Sequence, residues 1–88
     1  MNFVIYGKPD CQFCTMAKQL LEMRGQDFNY LTLDVDYTLD HMQAVVVEKT
    51  GIPPRTFPQI LVQESDVAEY KHVGGFTELR EFMAQIAE

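Results

Sequence analysis

Apolar residues along this chain recur at two spacings, one typical of strands and the other typical of helices. The first run, residues 2–6, is rich in β-branched and aromatic side chains and ends at Gly7, which predicts a buried strand. Apolar side chains then recur at helical spacing over residues 13–21, with Asp10 as the expected N-cap and Gly25 as the end. The chain is therefore expected to open with a strand followed by an amphipathic helix.

The middle of the chain repeats this pair of elements. Residues 28–35 form a second strand-like run. Residues 39–49 keep helical spacing up to Gly51, with Thr38 as the expected N-cap. Three consecutive valines inside this second helix favour extended structure locally, so its prediction depends on the spacing and on the two end signals.

The last third of the chain predicts two more strands and a helix. Residues 59–63 and 67–73 are strand-like runs on either side of a turn at residues 64–66, which predicts a hairpin. A glycine pair at residues 74–75 interrupts the pattern, and apolar positions return at helical spacing over residues 79–86. The predicted order is strand, helix, strand, helix, strand, strand, helix.

This order predicts an α/β fold in one domain that spans residues 1–88. The first two strands, joined by a helix, are expected to be parallel with a right-handed crossover, and the hairpin adds two antiparallel strands. The result is a mixed four-stranded sheet flanked by three helices, in the order βαβαββα. The length agrees, because 88 residues leave no room for a second domain.

Charge and composition narrow the classes of function. The chain carries 13 acidic and 7 basic residues, a net charge of −6, which argues against nucleic acid or an anionic membrane surface as a partner. No run has the length needed to span a bilayer, and no signal-peptide core is present. We therefore expect a cytoplasmic protein, and in that reducing compartment a close cysteine pair is catalytic or metal-binding rather than structural.

The two cysteines carry the main chemical signal. Cys11 and Cys14 follow the first predicted strand and open the first helix. The first turn of a helix offers unpaired N–H groups and the positive end of the dipole, which both stabilise a thiolate. Cys11 is therefore expected to attack disulfides, and Cys14, one turn deeper, to resolve the mixed disulfide. A zinc site would need two further ligands, and the only histidines, His41 and His72, are each isolated in the sequence.

Basic residues cluster near this pair although the protein is acidic overall. Lys8 lies three residues before Cys11, and Lys18 lies one turn beyond Cys14. A neighbouring cation lowers the pKa of a thiol, so either lysine is a candidate for activating Cys11. A solvated helix position explains Lys18 equally well. A basic site on an acidic protein suits a small anionic ligand.

Three segments of the chain together resemble the glutaredoxins, the shortest common form of the thioredoxin-like fold. Residues 8–14, Lys-Pro-Asp-Cys-Gln-Phe-Cys, resemble the family's Lys-x-x-Cys-Pro-Tyr-Cys active site. Residues 56–60, Thr-Phe-Pro-Gln-Ile, are similar to its Thr-Val-Pro-Gln-Ile segment. Residues 74–79, Gly-Gly-Phe-Thr-Glu-Leu, are similar to its Gly-Gly-x-x-Asp segment. The three occur in the family's order, which makes the combination far more specific than any one motif.

The resemblance implies a glutathione site beside the cysteines. It makes Cys11 the nucleophile and Cys14 the resolving thiol. It implies that Pro58 is a cis proline facing the disulfide and that the Phe57 backbone pairs with the cysteine of glutathione. Cations would hold the glycine carboxylate, and the start of the last helix would hold the γ-glutamyl end. The implied glutathione contacts are Lys8, Phe13, Arg55, Thr56, Phe57, Pro58, Gly74, Gly75, Phe76, Thr77 and Glu78.

Taken without the resemblance, several of these residues have ordinary structural interpretations. Pro58 would then be a trans proline that begins a strand. Phe13 and Phe76 would be core residues, and the glycine pair at residues 74–75 a simple turn. His72 is interpreted as a strand residue rather than a catalyst.

The activity implied by the resemblance is glutathione-dependent thiol–disulfide exchange. Cys11 would attack protein disulfides and glutathione mixed disulfides, and glutathione would reduce the resulting Cys11–Cys14 bond. No tightly bound cofactor is expected, because glutathione is a co-substrate. Ribonucleotide reductase is a protein substrate that the resemblance suggests, and the chain is expected to act as a monomer.

Three departures from the family pattern keep two alternatives open. Gln12 stands where proline is usual, Glu78 stands where aspartate is usual, and residues 63–71 are longer than in compact relatives. The first departure leaves room for a [2Fe–2S] cluster carried on Cys11 of two subunits. It also suits a glutaredoxin-like redoxin reduced by thioredoxin reductase, although residues 74–77 favour glutathione.

Overall fold

Four strands form one mixed sheet in the computed structural model, which describes residues 1–86. The strands are β1 (Asn2–Gly7), β2 (Asp27–Thr32), β3 (Gln59–Gln63) and β4 (Lys71–Gly74). The helices are α1 (Gln12–Met23), α2 (Leu39–Thr50) and α3 (Phe76–Ile86). The order across the sheet is β2-β1-β3-β4, with β1 parallel to β2 and the other two pairs antiparallel. The predicted mixed sheet and element order are thereby confirmed.

The core lies on both faces of the sheet. A larger cluster fills the space between the sheet, α1 and α3, and consists of Phe3, Ile5, Ala17, Leu21, Ile60, Val62, Leu79 and Met83. A smaller cluster lies against α2 and consists of Tyr6, Tyr37, Met42, Val46 and Leu61. Successive strand side chains point to opposite faces, so β1 and β3 are apolar almost continuously because both of their faces are covered.

Helices α1 and α2 both begin at a side-chain cap, but only the cap of α2 is the predicted residue. Thr38 caps α2, because its hydroxyl accepts a hydrogen bond from the His41 N–H at 3.2 Å. The predicted cap of α1 was wrong. Cys11 takes that position with extended backbone angles (φ −117°), whereas Asp10 has a left-handed φ of 56°. Aspartate tolerates that conformation better than most residues, so it forms the turn that precedes the cap.

Two strand boundaries were also predicted wrongly. β2 ends at Thr32 rather than at residue 35, because the Asp36 carboxylate accepts the Thr32 N–H at 2.8 Å and closes a turn. β4 begins at Lys71 rather than at residue 67. Val67 belongs to the connecting loop and is 96% exposed, so its side chain has no sheet surface to cover. No helix within residues 1–86 is long and apolar enough to cross a membrane.

Candidate active site

Cys11 and Cys14 lie at the first turn of α1 and form a disulfide, with their Cα atoms 5.2 Å apart. Cys14 is completely buried, whereas Cys11 is partly exposed. The Cys11 sulfur also accepts a hydrogen bond from the backbone N–H of Cys14 at 3.2 Å. An incoming thiol therefore reaches the Cys11 sulfur. The same N–H, together with the positive end of the helix dipole, stabilises negative charge on that sulfur when the bond is reduced.

The loop that enters the cysteine pair is fixed at the end of β1. The Gly7 carbonyl accepts hydrogen bonds from the Tyr37 hydroxyl at 2.7 Å and from the Leu33 N–H at 3.0 Å. Burial, reinforced by neighbouring tyrosines and a carboxylate, raises the pKa of Tyr37 to about 12. The hydroxyl therefore stays a donor at physiological pH. A Cβ at Gly7 would overlap the outer end of the Tyr30 side chain, so a larger residue at this position requires that side chain to move.

The segment before β3 contains the Phe57–Pro58 peptide bond, which is cis as the resemblance implied. Pro58 is buried, and Phe57 is half-buried beneath the Lys8 ammonium, which lies 4.9 Å from the centroid of its ring. The Gln59 side-chain amide donates to the Thr56 carbonyl at 2.8 Å. This segment thus contacts the loop before Cys11 through the cation–π pair of Lys8 and Phe57. On the side of β3 it is held by the hydrogen bond from Gln59.

The glycine pair lies at the start of α3, where both residues approach Glu78. The Gly75 N–H donates to a Glu78 carboxylate oxygen at 2.8 Å, which caps the helix. Gly74 has a φ of 125°, and a Cβ on it would lie 2.8 Å from the Glu78 side chain, so glycine is needed there on both counts. The rings of Phe13 and Phe76 stack with centroids 6.2 Å apart. This stack joins α1 to α3 beside the cysteine pair.

The three segments singled out in the sequence meet at one cavity. It has a volume of about 150 Å³ and is lined by Phe13, Thr56, Phe57, Gly75, Phe76, Thr77 and Glu78. Of the other implied contacts, Lys8 packs on Phe57, Pro58 and Gly74 are buried next to lining residues, and Arg55 is exposed beside Thr56. The structure therefore brings nearly the whole implied set together.

Two further side chains, Gln59 and His72, support this region from the sheet. Nε2 of His72 lies 2.8 Å from Oε1 of Gln59. Burial lowers the pKa of His72, and the charge of Glu78 opposes that shift. Gln59 was quoted within its motif but given no role, and His72 was interpreted as a plain strand residue. The contact between Gln59 of β3 and His72 of β4 depends on how the two strands pair, and the sequence alone does not show that pairing.

Two earlier hypotheses find less support. The Lys18 ammonium lies 5.6 Å from the centroid of the Tyr30 ring, so it packs over β2. Within the part of the chain that the structure describes, no group of three or more His, Cys, Asp and Glu side chains is arranged to hold a metal ion.

Comparison with known proteins gives a consistent result. A family model described as Glutaredoxin matches residues 3–67. Glutaredoxin 1 of Salmonella typhimurium is 38% identical over 85 residues, which cover 89% of this chain and 85% of that protein. The structure of reduced Escherichia coli glutaredoxin has a TM-score of 0.74 at 25% identity, with 99% of this chain and 98% of that chain covered. A buckwheat glutaredoxin–glutathione complex has a TM-score of 0.70 at 26% identity, with 94% and 68% covered.

Proposed function

This chain belongs to the glutaredoxin family and is a thiol–disulfide oxidoreductase, and we propose that glutathione is its reductant. The observation that carries the proposal is the cavity beside the cysteine pair, because it unites all three family motifs at one place. Its size suits part of a tripeptide, and its lining includes Phe13, which lies between the two cysteines in the sequence. The similar buckwheat glutaredoxin has been determined as a complex with glutathione.

The reaction proceeds by two successive thiolate attacks. The Cys11 thiolate attacks one sulfur of a protein disulfide, forms a mixed disulfide and releases the other sulfur as a thiolate. The Cys14 thiolate then attacks the Cys11 sulfur, which forms the Cys11–Cys14 bond and releases the second substrate thiolate. The substrate has gained two electrons, and the enzyme has lost them.

Glutathione restores the dithiol in two further exchanges. One glutathione thiolate attacks the accessible Cys11 sulfur and expels the Cys14 thiolate, because Cys14 is buried and Cys11 is not. A second glutathione attacks the glutathione sulfur of that mixed disulfide and leaves as oxidised glutathione, with Cys11 as the departing thiolate. A substrate that is itself a glutathione mixed disulfide needs Cys11 alone. The Cys11 thiolate attacks its glutathione sulfur, releases the other sulfur as a thiolate and forms the same Cys11–glutathione disulfide, which a second glutathione then reduces.

Each end of glutathione finds a partner in this arrangement. In this proposal the glycine carboxylate is held by Lys8, whose ammonium lies 4.9 Å from the centroid of the Phe57 ring, and by Arg55, which is exposed two residues before Phe57. The Phe57 backbone pairs with the central cysteine. Thr77, in the first turn of α3, offers a backbone N–H to the γ-glutamyl carboxylate. Local cations matter in a protein of net charge −6, since glutathione is an anion.

Protein disulfides form the other substrate class in this proposal. Ribonucleotide reductase is the candidate that the family resemblance suggests, with the enzyme acting as a cytoplasmic monomer. Cys11 is partly exposed and caps the beginning of α1, so it is compatible with attack on a protein disulfide.

A coupled assay tests the choice of reductant. Reduction of a small glutathione mixed disulfide is measured with glutathione and glutathione reductase, and then with thioredoxin reductase as the sole electron source. We expect turnover in the first assay and little in the second. Turnover with thioredoxin reductase alone would refute the proposal in favour of a redoxin. A brown preparation with visible absorbance would instead indicate a cluster-carrying protein.

A further inference from the structure

A chain of hydrogen bonds runs from β4 to the segment that adjoins the cysteines. His72 of β4 faces Gln59 of β3, with Nε2 and Oε1 2.8 Å apart. The Gln59 amide nitrogen in turn lies 2.8 Å from the Thr56 carbonyl oxygen and 3.4 Å from the Thr56 hydroxyl. A β-bulge between Ile60 and Leu61 shifts the register of the strand pair, so that His72 lies opposite Leu61, on the same face as Gln59.

The chemistry of these groups fixes the direction of every bond in the chain. A carbonyl oxygen only accepts hydrogen bonds, so the Gln59 NH₂ group must face Thr56. The Gln59 oxygen therefore faces His72, and an oxygen there needs a donor. The His72 ring must consequently carry its proton on Nε2. Burial lowers the pKa of His72, which favours the neutral imidazole. A neutral ring with its proton on Nε2 donates this hydrogen bond to Gln59, and so does the charged imidazolium.

The backbone of the segment that receives this hydrogen bond has few other hydrogen-bond partners. Within residues 1–86, no backbone–backbone hydrogen bond outside the helices and strands involves residues 53–58. Gln59 is only 5% exposed, so its amide has little access to water as an alternative partner. The direction of the Thr56 carbonyl therefore depends on Gln59.

The peptide group between Thr56 and Phe57 is planar and trans, so the direction of the Thr56 carbonyl also sets the direction of the Phe57 N–H. The Thr56 carbonyl and the Phe57 N–H belong to one peptide group and point in opposite directions. A carbonyl held toward Gln59 turns the Phe57 N–H away from β3, and both residues line the cavity beside the cysteines. That N–H is the group that pairs with the backbone of the cysteine residue of glutathione in the proposed function.

We propose that His72 is a positioning residue that acts through Gln59 to aim the Phe57 N–H at the glutathione cavity. The proposal rests on the proposed function for the identity of the ligand. The imidazole is not among the residues that line the cavity of about 150 Å³ beside Phe57. Its role is to keep the Gln59 amide in the one orientation that donates to Thr56.

Two substitutions at one position separate this role from general support of the fold. In His72→Gln the new amide can still donate to Gln59, whereas in His72→Leu it cannot, and the Gln59 amide is then free to turn over. We expect His72→Leu to raise the KM for a glutathione mixed disulfide about five- to tenfold, the loss typical of one neutral hydrogen bond. We expect kcat and reduction by dithiothreitol to change by less than about twofold. His72→Gln should restore most of the KM.

A general loss of folded protein would lower turnover of the glutathione mixed disulfide and turnover with dithiothreitol by the same factor. Equal losses in these two assays for His72→Leu would therefore overturn the positioning role. An equal rise in KM for His72→Gln and His72→Leu would also overturn it. His41→Leu is the matched control, because His41 is exposed on α2 and contacts the Tyr6 hydroxyl rather than the cavity. Its KM should stay at the value of the unsubstituted protein.

A measurement without glutathione distinguishes failure of this inference from failure of the proposed function. Side-chain NMR of the ¹⁵N-labelled protein at neutral pH should show the His72 proton on Nε2, and His72→Leu should shift the Phe57 amide resonance. A proton on Nδ1, or an unshifted Phe57 amide, would overturn the inference even in an enzyme that uses glutathione. If the protein instead took electrons only from thioredoxin reductase, the proposed function would fail while both NMR results still supported the positioning role.

Discussion

The central strand β3 has a glutamine at each end, and each glutamine holds the loop that adjoins it. At the beginning of the strand, the Gln59 amide donates to the Thr56 carbonyl at 2.8 Å. At its end, the Gln63 amide donates to the Ala68 carbonyl at 3.0 Å. The residue type, the donor group and the acceptor are the same at both ends. Differences between the ends therefore come from the surroundings.

Burial and second partners distinguish the two glutamines. Gln59 is 5% exposed, and its oxygen is bound to His72 at 2.8 Å. Gln63 is only partly buried, and its oxygen has the Asn2 amide at the long distance of 3.5 Å. A hydrogen bond shielded from water is costly to break, because the freed groups stay unpaired, whereas exposed groups turn to solvent. The same bond is therefore a firm constraint at one end and a weak one at the other.

The two loops that adjoin these glutamines also differ in their surroundings. The segment beside Gln59 lines the site, while the loop after Gln63 contains Val67 at 96% exposure and a surface ion pair between Lys71 and Glu64 at 3.4 Å. Such a pair contributes little to stability. The weakly held end thus joins an exposed connection, and the firmly held end keeps the Thr56 carbonyl in place beside the cavity.

The largest predicted effect concerns the cysteines themselves. Cys11→Ser should reduce disulfide reduction to background, because no other described sulfur is positioned to attack. Cys14→Ser should keep most of the activity on glutathione mixed disulfides, which need one thiol, and lose it on protein disulfides that need resolution. Steady-state assays with both substrate types check this. Val67→Ser, at the opposite end of β3, is the matched control and should leave both activities unchanged.

Alkylation provides an independent test of the same assignment. In the reduced protein at mildly acidic pH, iodoacetamide should label Cys11 much faster than Cys14, because Cys11 is accessible and its thiolate is stabilised by the helix start. Faster labelling of Cys14 would reverse the assigned roles.

The next largest effect contrasts the two glutamines directly. Gln59→Leu leaves the His72 donor and the Thr56 carbonyl without a partner, so we expect the free energy of unfolding to fall by about 1–3 kcal/mol. Gln63→Leu should cost at most about 0.5 kcal/mol, as is usual for surface positions. Urea denaturation of the two variants measures both values. Equal losses would mean that burial does not explain the difference between the ends.

A smaller effect is expected from the cations on the site side. Lys8→Gln combined with Arg55→Gln should raise the KM for glutathione severalfold, because the glycine carboxylate loses its charged partners, and should make that KM less sensitive to salt. Reduction by uncharged dithiothreitol should change far less. Lys71→Gln is the control, since this cation pairs with Glu64 at the other end of β3. A matching rise for Lys71→Gln would point to overall charge rather than to a local contact.

The smallest effect is a pH dependence of stability. The pKa of His72 is lowered in the folded protein from the ordinary value of 6.5. The unfolded chain therefore binds a proton more readily just below pH 6.5. The stability that His72 contributes is complete above pH 6.5 and is lost as the pH falls toward the lowered value. His72→Gln should flatten the unfolding free energy in this window, and urea midpoints between pH 7 and 5.5 test this. An unchanged slope would contradict it.

The sequence predicted the arrangement of elements because the apolar spacing in this chain follows the core it builds. The order of strands and helices, the Thr38 cap and the Gly51 end of α2 were all recovered. The wrongly predicted strand boundaries lie where local side-chain contacts or exposure outweigh the spacing of apolar residues. Asp36 closes a turn that shortens β2, and the apolar side chain of Val67 is exposed in a loop.

The resemblance grouped the residues that line the cavity, but it did not identify the side chains that support them. Motif residues such as Thr56 and Phe76, which are distant in the sequence, line one cavity in the fold. Cys11 as a helix cap was missed, since capping rules favour aspartate over a thiol. The His72–Gln59 pair lies thirteen residues apart and depends on a β-bulge, whose position no spacing rule supplies.

The complete burial of Cys14 predicts how the protein responds to peroxide. Peroxide oxidises the accessible Cys11 thiolate to a sulfenic acid, with water as the other product. The Cys14 thiol lies one turn away, at a Cα distance of 5.2 Å, and condenses with that sulfenic acid to form the disulfide and a second water molecule. This closure competes with the irreversible step to sulfinic acid. A protected thiol next to an exposed one thus converts oxidative damage into the ordinary oxidised form of the enzyme, which a reductant can repair.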